Sequence, residues 1–495
     1  MTTNQFFLSL MFSFLFASAL TAQNSALTAQ NSALTAQKTV PYQPKLSNSK
    51  NGAVHDFPLG VLSATGRLAD GERAILVMHV GKDGAADRGG LAVGDRIVAI
   101  SGQQSSAFSK STDSGLAGPQ TDLAMALEQA CADEPHRLRL AVQRAEETVQ
   151  LRIVVPPSPA FAESFSNRCP KSKKYLASIA NHLAVTQQGD GRWRPGVGGD
   201  ADVYAAAFCG LTLLAADNEA HLPAIRRAID FVRKKSIASI KPSDPKIGPK
   251  NWQAASSAIL LAEYQLATGD DMYFGDLKEC CDLLVSRVTE NGTMGHHFQI
   301  PYNGGGLVII NVQAHLAWAL AEKCGYEIDT AAWERSLSEV RKSIHKKTGA
   351  IGYSARATWS PDISARTGAM AAALAIRNQE PELVKQFSDA LVAHQGRMRH
   401  AHAMSSIGLI YGFAGLKLAG RESHQLVMQK WKPYLELCRT SAGSAAYFGG
   451  KRNFGGDQYL GLSPIGNATV ALMLASGQDN LFQHGGTKKK WFGSQ

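Results

Sequence analysis

The chain has 495 residues, of which 44% are hydrophobic and 19% charged; these are the proportions of a globular protein, they exclude overall disorder, and the length exceeds one ordinary core. Lysine and arginine outnumber aspartate and glutamate by 51 to 41, a net charge of +10 that suits acidic partners. There is no nucleic-acid motif and no basic run longer than three, as at Lys488-Lys489-Lys490, so nucleic acid is not among the expected partners. Seven cysteines without metal-ligand spacing point to no zinc module and leave disulfide pairing open.

Residues 6–20 form an apolar stretch with the length of a secretory signal core, too short to span a bilayer comfortably. Ala17-Ser18-Ala19 supplies a small-x-small cleavage pattern, and no cysteine follows to carry a lipid. A signal peptide over 1–22 and export to the periplasm or beyond are expected, with no stable membrane anchor. The heptad Ser-Ala-Leu-Thr-Ala-Gln-Asn recurs from positions 18, 25 and, ending in Lys38, 32, which reads as a low-complexity spacer over 23–53.

From residue 54 the periodicity is that of strands. An apolar run over 74–80 is followed by a turn rich in Gly and Asp, then by Leu91-Ala-Val-Gly-Asp95-Arg-Ile97-Val-Ala-Ile100-Ser-Gly102. Helical spacing places Leu123, Leu127 and Ala130 on one face over 121–132 with Thr121 as N-cap, and two alternating strands follow over 137–143 and 148–155. This order and the Gly-Asp-x-Ile-x-x-Ile block resemble a PDZ domain, bounded at 54–156. The resemblance implies an extended peptide or protein C-terminus added as a strand beside the helix, with Leu59 and Gly60 near its carboxylate and Leu123 and Leu127 along the groove. Pro58 removes one amide donor from that loop, and a purely structural domain docked on its neighbour is the equal alternative.

Beyond residue 170 the sequence repeats. Gly-centred turns recur at Gly191, Gly248, Gly292, Gly349, Gly396 and Gly443, 44 to 57 residues apart, room for two helices each. After each turn stands a helix apolar nearly all round, over 203–216, 254–267, 307–320, 368–376, 403–419 and 465–475; such a helix must be covered on every side. The second helix of a pair is amphipathic, as with Leu222, Ile225, Ile229 and Val232 against Arg226, Arg227 and Arg233. The pattern predicts an inner and an outer layer, and the unpaired amphipathic helix over 171–186, with Leu176, Ile179 and Leu183, closes the circle against 465–475. Six such hairpins over 170–485, before a basic tail over 486–495, resemble the (α/α)6 toroid of terpenoid cyclases and protein prenyltransferases. The whole arrangement resembles a family of uncharacterised bacterial exported proteins that join an N-terminal PDZ domain to such a toroid; the fold class is thus multidomain, a β-rich PDZ-like domain followed by an all-α toroid.

In such a ring the turns before the inner helices gather at one mouth, where helix N-termini favour anionic ligands. Unusual polar residues cluster in these segments. His296, His297, Tyr353, Arg366, His400 and His402 are the candidates for acid–base chemistry; Asp202, Asn303, Asn311, Asp362, Arg397, Asp457 and Tyr459 are the candidates for ligand contact. Asp200 and Asp362 also read as N-caps, and His315 reads as a packed histidine. Asp200-Ala-Asp202-Val lacks the last acid of a class II cyclase, no Asp/Cys/His zinc set of a prenyltransferase is present, and neither a metal nor a cofactor is expected. The leading reading is an exported protein that binds peptide or glycan in the cell envelope. The alternative is a polysaccharide lyase or hydrolase acting in the toroid cavity on an acidic glycan.

Overall fold

A computed structural model describes residues 54–69, 71–108, 118–193, 200–298, 306–360, 362–399, 405–448 and 464–489; the expected signal segment and heptad spacer lie outside them. Strands β1 (Val54–Pro58), β2 (Ala64–Ala69), β3 (Ile75–Val80), β4 (Arg96–Ile100), β5 (Arg137–Arg144) and β6 (Glu147–Val154) form one antiparallel sheet in sequence order. On β5, Leu138, Leu140 and Val142 are buried while Arg137 and Arg139 are exposed, the period of two that a half-covered sheet requires. A short helix α1 (Ala85–Arg88) precedes β4, and α2 (Pro119–Ala132) covers the buried face with Leu123 and Leu127. Helix α2 starts two residues earlier than the sequence suggests. Gly118, at φ 63°, is its N-cap and Pro119 its first residue, where a fixed φ and a missing N–H cost nothing, so Thr121 lies inside the first turn.

The helical part alternates as its sequence does. Helices α4 (Asp200–Ala215), α6 (Asn251–Thr268), α8 (Val308–Lys323), α10 (Ile363–Arg377), α12 (Ser405–Ala419) and α14 (Ile465–Ala475) each pack on the next, and α14 packs back on α4. Helices α5 (Leu222–Lys235), α7 (Phe274–Ser286), α9 (Thr330–Lys342), α11 (Pro381–Ala393) and α13 (Arg421–Cys438) lie outside them. In α6 every residue but Trp252 and Gln265 is buried, whereas α5 buries Ile225, Ile229 and Val232 and leaves its arginines out. Helix α3 (Pro170–Thr186) packs on α14 with Leu176, Ile179 and Leu183 buried, and so supplies the sixth outer helix, as the sequence leads one to expect.

The repeated glycines explain why the turns recur. Gly292 sits at φ 80°, which only glycine adopts freely, and a Cβ there would lie 2.0 Å from the Arg335 carbonyl of α9. Gly443, at φ 75°, stands in the same relation to α3, where a Cβ would meet Ser178 Oγ at 2.3 Å. Gly191 and Gly349 follow suit with α5 and α11. Gly248, at φ 127° with no atom nearer than 3.5 Å to such a Cβ, and Gly396, in the 3-10 turn Gln395–Arg397, depart from the pattern.

Two features tie the ring shut. At the C-terminal ends of the inner helices the chain after α14 folds back: Asn480 Nδ2 donates to the Ala215 carbonyl at 2.8 Å, and Lys489 N donates to that of Leu266 at 2.8 Å. Fully buried Glu263 accepts the amides of Phe482 and Gln483, both at 2.8 Å. Lys489, expected in a solvated tail, is thus part of the fold. On the opposite flank the sheet module is docked on α13, where Gly60 lies between Leu127 and the Glu436 carbonyl. Arg439 donates to Cys131 Sγ at 3.2 Å, and Lys171 pairs with Glu436 at 2.7 Å inside the joint. One hydrophobic core runs through both parts. All seven cysteines are unpaired.

Candidate functional site

The helices bring three residues together on the ring axis. Gln313 of α8 donates through Nε2 to the hydroxyls of Tyr204 on α4, at 2.9 Å, and Tyr411 on α12, at 3.2 Å. Neither α4 nor α12 neighbours α8 in the ring, so these bonds cross the central space. Tyr204 and Tyr411 are themselves hydrogen-bonded, and burial pushes the Tyr411 phenol up to about 12, so that phenol stays neutral. Gln313 is fully buried and its Oε1 has no hydrogen-bond partner among the described residues. An orphaned buried acceptor costs about 1–3 kcal/mol, which a donor placed there would recover.

An aromatic lane leads from the rim to this cluster. Half-buried His296 lies 6.0 Å from the Trp252 ring, Trp252 lies 6.3 Å from Tyr204, Tyr204 packs edge-on against Phe208 at 4.6 Å, and Phe208 lies 6.1 Å from Tyr411. Trp252 Nε1 donates to His296 Nδ1 at 2.7 Å. Because an indole nitrogen can only donate, Nδ1 must be the acceptor, and His296 is the neutral Nε2–H tautomer. Burial, and then the Lys250 charge, lower its pKa, which agrees. His297 donates from Nε2 to the Gly248 carbonyl at 3.1 Å, closing the same sector.

The other expected residues are held in structural work. Asp202 pairs with Arg192 at 3.6 Å. Arg366 binds both oxygens of Asp362, at 3.2 and 3.0 Å, donates to the Ile351 carbonyl and lies over the Tyr353 ring at 5.7 Å. Asp362 stands at the N-cap position of α10 but makes no capping bond; its carboxylate is turned to Arg366 and Ser360. Asn311 corrects the expectation of a rim position: it donates to the Gly292 carbonyl and to Ser336 Oγ on α9, both at 2.8 Å, and so faces the outer layer. His315, one turn on, bonds the same Ser336 at 3.0 Å and is packed in the core as expected. Gln313, between them and rotated by about 200°, is the residue that faces inward.

Arg397 lies over Trp359 at 5.7 Å, in a separate surface cluster. Helix α4 begins at Asp200. Asn303, His400, His402, Asp457 and Tyr459 lie outside the described residues. In the sheet module, Leu59, Leu123 and Leu127 are fully buried, and the edge of β2 that a peptide would extend is already paired with β1, from Val54↔Ala69 to Pro58↔Thr65. The expected groove is filled by the chain itself and by α13.

Sequence reasoning missed Tyr204, Trp252, Gln313 and Tyr411, because residues inside an apolar helix read as core. The available signal was Gln313, an uncharged polar group amid Val312-Gln-Ala-His-Leu316 on a helix with no polar face.

The profile of the DUF6288 family, a domain of unknown function, matches residues 172–483. No curated protein matches the sequence. Among solved structures, the chain is similar to an inactive variant of the alpha-1,6-mannanase GH76A of Salegentibacter sp. HEL1_6 in complex with alpha-1,6-mannotriose, with 12% identity and a TM-score of 0.47 over 62% of this chain and 99% of that one. It is also similar to cellobiose 2-epimerase from Bacillus thermoamylovorans B4167, with 10% identity and a TM-score of 0.44 over 61% and 98%. A third likeness is to a variant of the type II terpene cyclase MstE from Scytonema, with 13% identity and a TM-score of 0.40 over 63% and 98%.

Proposed function

The chain belongs to the DUF6288 family, and we propose that this member is an exported ligand-binding protein whose toroid takes a glycan segment of the cell envelope into the mouth of the ring. The observation that carries the reading is the aromatic lane ending on the Gln313–Tyr204–Tyr411 cluster. Aromatic faces stack on the apolar faces of a sugar, while hydroxyl and amide groups fix its hydroxyls, the few placed polar contacts in an apolar setting that small-molecule sites use. A sugar hydroxyl donated to Gln313 Oε1 would satisfy that orphaned acceptor.

Binding is favoured over lyase or hydrolase chemistry because Asp202, Asp362 and Nδ1 of His296 are each engaged by a neighbour. Inverting hydrolysis needs two carboxylates working across the scissile bond, and Asp202 and Asp362 are each engaged by an arginine. Proton abstraction needs an accessible base, and Nδ1 of His296 is held by an indole N–H. The sheet module, read as a PDZ-like domain, acts in this proposal as a brace on α13, since its β2 edge is taken by β1.

Isothermal titration with neutral and acidic oligosaccharides tests the proposal. Binding is expected, with affinity lowered about tenfold or more by Trp252→Ala and by Gln313→Leu in variants that still melt cooperatively. Absence of binding across the panel, or binding indifferent to both substitutions, would refute it; release of shortened or unsaturated products would replace binding by catalysis.

A further inference from the structure

Two successive connections on the mouth side of the ring, α9–α10 and α11–α12, meet around one exposed side chain. Trp359, in the segment before α10, is 43% exposed, yet it is held on several sides. Its ring lies 5.1 Å from His345, in the turn after α9, and 6.1 Å from His394, at the end of α11, while the Arg397 guanidinium lies 5.7 Å from its centroid. An indole normally hides; one left open and clamped by planar neighbours is a rigid platform that has already lost its rotamer freedom. His345 is itself fixed, with Nδ1 3.0 Å from Thr348 Oγ1.

His345 also lines a groove of about 1140 Å³ between α9, α11 and the turn that joins α9 to α10. The groove carries Arg341, Lys342, Lys346 and Lys385 against Glu382 and Asp389, a cationic surplus to which exposed Lys347 and Arg356 add nearby. Most of that charge is already answered, Lys385 by Asp389 at 2.7 Å, Lys342 by Glu339 at 3.7 Å and Arg341 by Glu380, which leaves Lys346 and its exposed neighbours to face a ligand. A nucleic acid, which binds through a series of phosphate contacts, fits this largely neutralised groove poorly. A chain with one acidic group per bulky ring fits it well.

We propose that Trp359, His345, His394 and Arg397 form a surface site, separate from the ring axis, for an acidic polysaccharide. A pyranose ring stacks on the Trp359 indole, its carboxylate or sulfate is met by Arg397, and the following residues run along the groove past Lys346. The planar fork of arginine suits such an anion, and arginine keeps its charge at any physiological pH. The indole accounts for preference for a sugar over a flexible acidic peptide, and the cationic groups for preference for an acidic sugar over a neutral one.

Calorimetric titration of the full chain with an oligogalacturonate tests this, beside the matched neutral oligogalactoside and a poly-glutamate peptide. The oligogalacturonate is expected to bind, more weakly as salt rises, and to lose about tenfold or more in affinity with Trp359→Ala and with Arg397→Gln. Gln313→Leu is expected to leave this binding unchanged, which separates the site from the axial one. Because Trp359 is exposed, W359A is expected to melt as the parent does; if it melts earlier, Trp359→Phe keeps the platform and must keep the binding. The inference is overturned if the oligogalacturonate does not bind, if Trp359→Ala leaves its affinity intact, or if the neutral sugar or poly-glutamate binds as tightly through Trp359.

Discussion

Replacing Ile179 by alanine tests whether α3 really closes the ring. Ile179 is fully buried on the face of α3 that packs on α14, nearly 300 residues away in sequence. The substitution removes three carbons at about 0.8 kcal/mol each by transfer alone. Helix α14 is held by α12 and α4 on its other sides, so the gap cannot collapse, and the total rises to about 3–4 kcal/mol. Val185, on the same helix and 55% exposed, is the internal comparison; Val185→Ala is expected to change stability by no more than about 0.5 kcal/mol. Urea unfolding followed by far-ultraviolet circular dichroism reads both, with equal slopes showing that the denatured states match. Equal midpoints for the two variants would refute the reasoning. So would a fragment beginning at residue 191, and thus lacking α3, that unfolded as cooperatively and as late as the full chain.

Gly292→Ala combines a left-handed φ with a Cβ 2.0 Å from a carbonyl oxygen and is expected to cost well over 2 kcal/mol, whereas Gly71→Ala, at φ 84° with nothing near it, costs only about 1–2 kcal/mol of backbone strain; equal thermal shifts would count against the turn's role. Glu436→Gln leaves Lys171 buried without its counter-charge and is expected to lower stability by about 3–5 kcal/mol, with part recovered by adding Lys171→Met; a loss below 1 kcal/mol by urea titration would contradict this. Burial pushes the imidazoles of His315, His424 and His484 down to about 3, so each favours the fold above the ordinary histidine value and loses that contribution as pH falls, about 2 kcal/mol each by pH 5. Glu263 opposes them: burial raises it to about 7, so its contribution is full below its ordinary value and fades as pH rises through 7. The melting temperature is expected to be lower at pH 5 than at pH 7, and an equal or higher one would show the reverse balance.

Much of the architecture was legible because it rests on local periodicity. Helices without a polar face alternate with amphipathic ones, and Gly-centred turns punctuate them at nearly constant spacing, four of the six glycines standing at φ of 72° to 91°, so layers, hairpins and the closing role of α3 can be read without coordinates. The sheet module was legible in its order of elements, but not in its groove. Whether β1 or a foreign peptide pairs with β2 depends on which edge the chain itself covers, and no residue pattern distinguishes the two.

The site was legible only in part, and for a physical reason. Asn311, Gln313 and His315 look alike on paper, three polar groups in one apolar helix. Which of them faces the axis is settled by the rotation of α8 against its neighbours, and that rotation is fixed by Asn311 and His315 both grasping Ser336 on α9. Likewise Asp362 reads as a cap until Arg366, four residues on, draws its carboxylate away. The sequence alone determined that this chain builds a ring of six helical hairpins behind a small sheet, because burial and turn chemistry act within a few residues. The tertiary structure decided which polar groups meet across that ring, because the groups that meet stand on helices roughly a hundred residues apart and the rotation that presents them is set by packing against a second helix.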